Sequence, residues 1–289
     1  MKFKTLSFLC AALAVFSSFA EELPAKLSAF YTEKFKYTQL HLQGIDCDES
    51  GIYFGFANGV TKTDWQGKVL AEAVSSYGNA GHIGDLCVHS GKVYATSWIQ
   101  SKGTRKGLIQ VFDAKTLKPL TEENKPLPYA TDGIAFYKGN FWIGKPYTGP
   151  QPHDVMTIAV WDENFSKEIS QPLHRTDGTK INYSMQTLAV MGDLLWHGCY
   201  IDYNWYKNQK IPAAKNCTYL TDDEGKIVCA SPVWAATGIA LVPKSISGEK
   251  TLLITGRTGG KNGSAWIRFW EYKDNALIPY PPKTKGKKP

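Results

Sequence analysis

Three features of this 289-residue sequence predict an all-β fold. A short pattern recurs five times, as Gln43-Gly44-Ile45-Asp46, Gly84-Asp85-Leu86-Cys87, Asp132-Gly133-Ile134-Ala135, Gln186-Thr187-Leu188-Ala189 and Thr237-Gly238-Ile239-Ala240. Each copy leads through a turn into an apolar run: Ile52-Tyr53-Phe54, Val93-Tyr94-Ala95, Phe141-Trp142-Ile143, Leu194-Leu195-Trp196 and Leu252-Leu253-Ile254. A further strand ending on an acidic turn follows each pair, as at Thr63-Asp64, Phe112-Asp113, Trp161-Asp162, Thr221-Asp222 and Lys273-Asp274. Repetition at about 40–55 residues, with four short strands per unit, describes a radial array. The architecture expected is a five-bladed β-propeller of four-stranded antiparallel blades.

The elements follow in order. Met1-Lys2-Phe3-Lys4, an uncharged apolar stretch to Phe19 and a small residue at Ala20 read as a cleaved secretory signal over residues 1–20. Cys10 lacks a small residue directly before it, which argues against a lipoprotein signal. The segment Ala29–Leu40 alternates in a β-prone manner and is expected to pair with the last blade, closing the ring and hiding a sheet edge. The blades are expected at 42–75, 83–125, 131–175, 185–233 and 236–280. The first strand of each lies nearest the axis, where Gly and medium-sized apolar residues pack closely. A sixth inner strand is not found. Residues 21–280 thus form one propeller domain. Pro279, Pro281 and Pro282 lead into a basic tail over 281–289 that is too polar to fold.

The formal charge is +7, and loss of Lys2 and Lys4 leaves +5, much of it in the tail. No groove of interleaved basic and aromatic residues is visible, which argues against nucleic acid. No later stretch approaches the ~20 apolar residues of a membrane span. The protein is therefore expected to be exported, periplasmic or extracellular. Five cysteines follow the signal: Cys47, Cys87, Cys199, Cys217 and Cys229. Cys217 and Cys229 flank the turn at Asp222–Gly225 and are expected to face each other across a hairpin; Cys47 and Cys87 fall on successive inner strands. The alternative is that all serve as small apolar residues. No Cys-x-x-Cys pair suggests a structural zinc site.

In a propeller the starts of inner strands and the ends of second strands meet at one axial mouth. Gln43, His82, Asp85, Asp132 and Gln186 come from the former, and Lys145, His197, Tyr200 and Arg257 from the latter. Polar groups converging on a concave mouth are the default binding site. In Gly81-His82-Ile83-Gly84-Asp85 an imidazole and a carboxylate flank small residues, a pairing that orients a base or a ligand. The other reading of Asp85 is a buried turn anchor for backbone amides. His197 is either a mouth residue or a core histidine between aromatics. Asp85 and Asp132 start adjacent inner strands, and paired carboxylates are what glycoside hydrolysis requires. Lys145 or Arg257 would hold an anionic substituent. The run Tyr200–Tyr206 places four rings in seven residues, suited to stacking on a sugar or to covering a blade.

These repeats resemble those of NHL and YVTN-type propellers. More narrowly they are similar to a group of exported bacterial propellers, through Gln43-Gly44-Ile45, Gly81–Leu86, Asp132–Ala135 and Gly198-Cys199-Tyr200. The resemblance implies the fold but no activity, because propellers host hydrolases, lyases, lectins and scaffolds. The carboxylate-and-Asn metal site of propeller sugar-acid lactonases has no counterpart here, and no metal or cofactor is assigned. Two functions are carried forward. One is binding of a small polar or carbohydrate ligand at the axial mouth. The other is a carbohydrate-active hydrolase or lyase using His82, Asp85, Asp132, His197 or Tyr200 there.

Overall fold

The computed structural model describes residues 27–37, 40–78, 81–101, 104–145, 157–172, 184–200, 218–259 and 263–281. The expected signal (1–20), the tail beyond Pro281, Tyr147, Ile201–Tyr206 and Cys217 lie outside these residues.

Five antiparallel sheets are present. Blade one holds β2 (Leu42–Asp48), β3 (Gly51–Phe56), β4 (Gly59–Thr63) and β5 (Val69–Val74). Blade two holds β6 (Gly81–His89), β7 (Lys92–Ser101), β8 (Thr104–Asp113) and β9 (Lys125–Leu127). Blade three holds β10 (Ile134–Tyr137), β11 (Asn140–Lys145), β12 (Thr157–Asp162) and β13 (Glu168–Pro172). Blade four holds β14 (Ser184–Met191), β15 (Leu194–Tyr200), β16 (Thr218–Thr221) and β17 (Ile227–Ser231). Blade five holds β18 (Ile239–Leu241), β19 (Leu252–Thr258), β20 (Ala265–Lys273) and β21 (Ala276–Tyr280).

Strands buried on both faces read as nearly continuous apolar runs, and successive side chains serve opposite neighbours. On β11, Phe141 and Ile143 pack against blade two while Trp142 packs against blade four. Five apolar clusters result, each spanning one pair of adjacent blades.

Closure follows the expected route. β1 (Phe30–Tyr31) pairs with the start of β20, placing Phe30 opposite Ile267 and Tyr31 opposite Trp266. β21 covers the remainder of the same strand, with Phe269 opposite Tyr280. The outer strand of blade five is therefore a composite of both ends of the chain. The N-terminal segment then crosses to blade one: Glu33 N–H donates to Gly67 O at 2.9 Å, and Phe35 is fully buried against Phe54 and Phe56.

The inner strands are irregular at one shared place. Ladder register shifts between Leu42 and Gly44 on β2, between Ile83 and Leu86 on β6, and between Met185 and Thr187 on β14. Each shift falls on the recurring pattern, and a bulge there re-aims side chains towards the axis. Gly44 is required by this crowding: a Cβ on it would lie 2.4 Å from Asp85 Oδ1. Gly238, at φ +133°, is required both by backbone conformation and by Ile45, 2.4 Å from where its Cβ would stand.

The cysteine expectation needs correction. The hairpin turn is centred on Glu224, with Asp222 N donating to Lys226 O, and a bulge between Leu220 and Thr221 shifts the ladder one residue further, so Cys229 lies opposite Leu220, not three residues earlier. The Cys229 thiol donates to Asn275 O at 3.0 Å and is in no disulfide, and neither Cys47 nor Cys87 is in one. Cys47 and Cys87 sit on neighbouring inner strands but turn apart. The Cys47 thiol donates to Leu241 O at 3.2 Å in blade five, while Cys87 joins the cluster shared with blade three.

Candidate functional site

The first residue of each repeat and the second take different roles. At the first position Gln43, Asp132, Gln186 and Thr237 are half-buried and start the inner strands at one end of the axis. At the second, Asp85 and Thr187 are fully buried beneath them. The mouth is thus a ring of polar groups over a sealed axial core.

His82, itself half-buried, is the centre of a polar and aromatic group at this end. Its ring stacks on Trp98 of β7 at 4.8 Å and 23°. Its Nε2 lies 3.0 Å from Gln43 Nε2, and the His41 ring stands 5.4 Å away. With the Gln43 amide donating, His82 Nε2 accepts and its proton resides on Nδ1. Burial lowers the His41 pKa from its ordinary value, so this imidazole stays neutral further into acid than a free one. Asp132 borders the group: its Oδ1 would lie 3.2 Å from a Cβ on Gly84, and its backbone carbonyl accepts from Thr96 Oγ1. Two imidazoles, a primary amide and an indole face stand together here.

Asp85 is not in that group. Its Oδ2 accepts from Ile134 N at 3.2 Å and from Leu188 N at 2.8 Å, the repeat amides of blades three and four. Its Oδ1 is buried against Gly44 without a partner. Burial pushes its pKa well up, against the opposing pull of the amides. Asp85 is therefore an anchor of the ring. A carboxylate three residues from His82 faces the core because the bulge separates the two.

His197 is also corrected. On β15 it shares a face with Leu195 and Cys199, both packed towards blade three, and it is fully buried. Its Nε2 pairs with Thr221 Oγ1 at 2.7 Å, and Nδ1 has no partner. Burial lowers its pKa to about 3. Lys145 is ion-paired with Glu168 and lies over the Tyr129 ring at 4.5 Å, away from the axis. Arg257 lies in the groove between blades four and five, where its guanidinium stands 5.9 Å from the Trp234 ring centre. Tyr200 ends β15. Of the predicted set, Gln43 and His82 meet side by side, and Asp132 and Gln186 stand half-buried at the starts of their inner strands.

The opposite end of the axis holds a cavity of about 250 Å³ lined by Asp46, Cys87, Ala135, Ala189 and Leu241 among others. Asp46 Oδ2 accepts from Val88 N at 2.6 Å and Oδ1 from Cys47 N at 2.8 Å; burial raises its pKa to about 7. It ties blade one to blade two as Asp85 ties blade two to three and four. Sequence reasoning passed over Asp46 although it stands in the first repeat. Among the described residues no group of three or more His, Cys, Asp or Glu is placed to hold a metal ion, and no helix is long and apolar enough to cross a membrane.

The five sheets define a five-bladed β-propeller. No family model matches the sequence, and no curated protein matches it. Solved structures do match, at low identity. A glutaminyl cyclase from Myxococcus xanthus has a TM-score of 0.56 at 10% identity, over 86% of this chain and 100% of that one. CoXyl43, a GH43 β-xylosidase/α-arabinofuranosidase from a compost microbial metagenome, has a TM-score of 0.57 at 13% identity, over 89% and 99%. A GH43_1 enzyme from Xanthomonas citri has a TM-score of 0.55 at 11% identity, over 89% and 96%. These likenesses show the fold alone.

Proposed function

We propose that the protein is an exported β-propeller, of the NHL/YVTN-like kind its repeats resemble, that binds a small polar or carbohydrate ligand at the axial mouth. The observation that carries this reading is the stack of His82 on Trp98 with Gln43 and His41 beside it. An indole face backs the apolar side of a sugar ring, while imidazole and amide groups reach its hydroxyls. Export rests on the N-terminal signal pattern. Turnover by a carboxylate pair is the weaker reading, because Asp85 is engaged by two amides and only Asp132 remains at the mouth. A glycan and sugar-acid screen on the purified mature chain, read by thermal shift and by product analysis, tests both parts. Binding without product, lost in His82→Ala, supports the reading. A ligand response that His82→Ala leaves intact rejects the mouth, and a product formed at a rate that depends on Asp132 rejects a pure binder.

A further inference from the structure

A second surface carries chemistry that the axial mouth does not use. β19 and β20 of blade five pair so that Arg257 lies opposite Trp266, Thr255 opposite Arg268 and Leu253 opposite Trp270. All six side chains share the face turned to blade four, where Leu253 joins the core between these blades. Along β20 this face reads Trp266, Arg268, Trp270: ring, cation, ring at the two-residue period of a strand. The chain leaving blade four forms the other wall through Ser231–Trp234, and between the walls lies a cavity of about 270 Å³.

The composition of this face is selective. Only four of the chain's 33 basic residues are arginines, and two of the four stand here with three of the nine tryptophans. Both guanidiniums are exposed, and among the described residues neither has a carboxylate partner. Several surface lysines, by contrast, are ion-paired: Lys92, Lys138, Lys145 and Lys250. The two arginines are positioned by rings. Arg257 stands 5.9 Å from the Trp234 centre and Arg268 5.9 Å from the Trp266 centre. The rings are themselves held: Tyr31 packs on Trp266 at 4.3 Å, and Trp270 Nε1 donates to Thr255 Oγ1 at 2.9 Å. Such guanidiniums keep their donors aimed outward with less rotational freedom to lose on binding.

We propose that this groove is a second binding site, for an acidic sugar chain. Its pyranose faces lie on Trp266 and Trp270, and its carboxylate or sulfate groups are held by Arg268 and Arg257. A guanidinium fork matches the two oxygens of a carboxylate or sulfate, and an indole matches the apolar face of a saccharide ring. The groove lies at the small end of ligand pockets, which run from ~300 Å³ upward, so it takes one or two ring units at a time. Single-stranded nucleic acid shares stacking and anionic character, but it is favoured by a continuous cationic track, and here two cations alternate with rings.

The test is calorimetric titration of the full mature chain with tetragalacturonate, a heparin tetrasaccharide, uncharged cellotetraose and oligo-dT. Tryptophan fluorescence is followed in parallel. The expected result is that at least one acidic oligosaccharide binds, quenches fluorescence and weakens with salt, at ten-fold or greater preference over cellotetraose. Which of the two binds distinguishes carboxylate from sulfate recognition. Arg268→Gln lowers that affinity at least ten-fold, and Arg257→Lys, which keeps charge and loses the fork, lowers it less. Both positions are exposed, so melting temperatures should remain at the wild-type value, and His82→Ala should leave this binding unchanged. Failure of both acidic probes, equal affinity for cellotetraose, preference for oligo-dT, or unaltered binding in the Arg257→Gln/Arg268→Gln double variant each overturns the proposal.

Discussion

Asp85 Oδ2 of blade two accepts a hydrogen bond from the Leu188 amide of blade four at 2.8 Å, across the axis of the ring. The same oxygen takes the Ile134 amide of blade three at 3.2 Å. One buried carboxyl group thus joins three blades. Asp85→Ala should strand two buried donors, each costing about 1–3 kcal/mol. The expected loss in chemical denaturation is roughly 2–6 kcal/mol. Asp85→Asn retains an acceptor of the same shape and should lose less. A wild-type midpoint in Asp85→Ala would remove the anchor role.

The blade count is legible because every sheet buries both faces. Each unit then needs the same apolar runs, and three of the five set a glycine at the axis, as Gly44 and Gly238 illustrate. Ring closure by Phe30–Tyr31 is legible in the same way, from β-prone alternation. The height of a side chain relative to the mouth is not legible. Asp85 and His82 differ by a bulge, and His197 and Trp196 differ by strand parity, and neither is marked by residue type. The Trp266-x-Arg268-x-Trp270 alternation was open to a period-two reading, but its meaning depends on which blade that face meets.

Ring closure depends on Phe35, fully buried against Phe54 at 5.7 Å and Phe56 at 5.1 Å. Phe35→Ala should cost about 3–5 kcal/mol. Because β1 and β21 share the edge of β20, limited proteolysis should then cut first in the N-terminal segment. Unchanged stability and an uncut N-terminus would contradict the closure.

The acid limb of stability should carry the mark of His197. Its folded pKa is about 3 against an ordinary 6.5. Between these values the unfolded chain binds a proton that the folded chain refuses. Stability is therefore fully present above about pH 6.5 and is lost as pH falls towards 3, by about 5 kcal/mol. Asp46 acts in the opposite sense: with a folded pKa of about 7 against 3.8, its contribution declines as pH rises from about 4 to 7. Asp85, whose pKa burial also raises, acts in the same sense as Asp46. Denaturation across pH in the Asp46→Asn/Asp85→Asn double variant therefore isolates the histidine, and adding His197→Gln should then flatten the acid slope whatever it does to stability at neutral pH. An unchanged slope would mean that His197 is protonated in the fold.

The thiols give a chemical check on the blade-four hairpin. With Cys229 opposite Leu220 and its Sγ on Asn275 O, no Cys217–Cys229 bridge should form. Non-reducing peptide mapping should recover Cys229 as a free thiol that is labelled slowly in the native protein and fully after denaturation. A Cys217–Cys229 peptide would show that the register differs.

The axial mouth is tested most directly by separating its members from residues that only share its face of the ring. His82 and Gln43 meet at 3.0 Å beside Trp98, whereas Lys145 is held by Glu168 and Arg257 faces another groove. For whichever neutral saccharide gives the largest thermal shift, Gln43→Leu and His82→Ala should each weaken binding about ten-fold. That is the effect of losing ~1.4 kcal/mol, one modest hydrogen bond. Lys145→Gln and Arg268→Gln should leave that affinity within experimental error. Because His82 and Gln43 are half-buried and only one side-chain hydrogen bond between them joins their blades, melting temperatures without ligand should shift little. If Lys145→Gln or Arg268→Gln abolishes binding while Gln43→Leu and His82→Ala do not, the ligand sits off the axis and the mouth is only the top of the core.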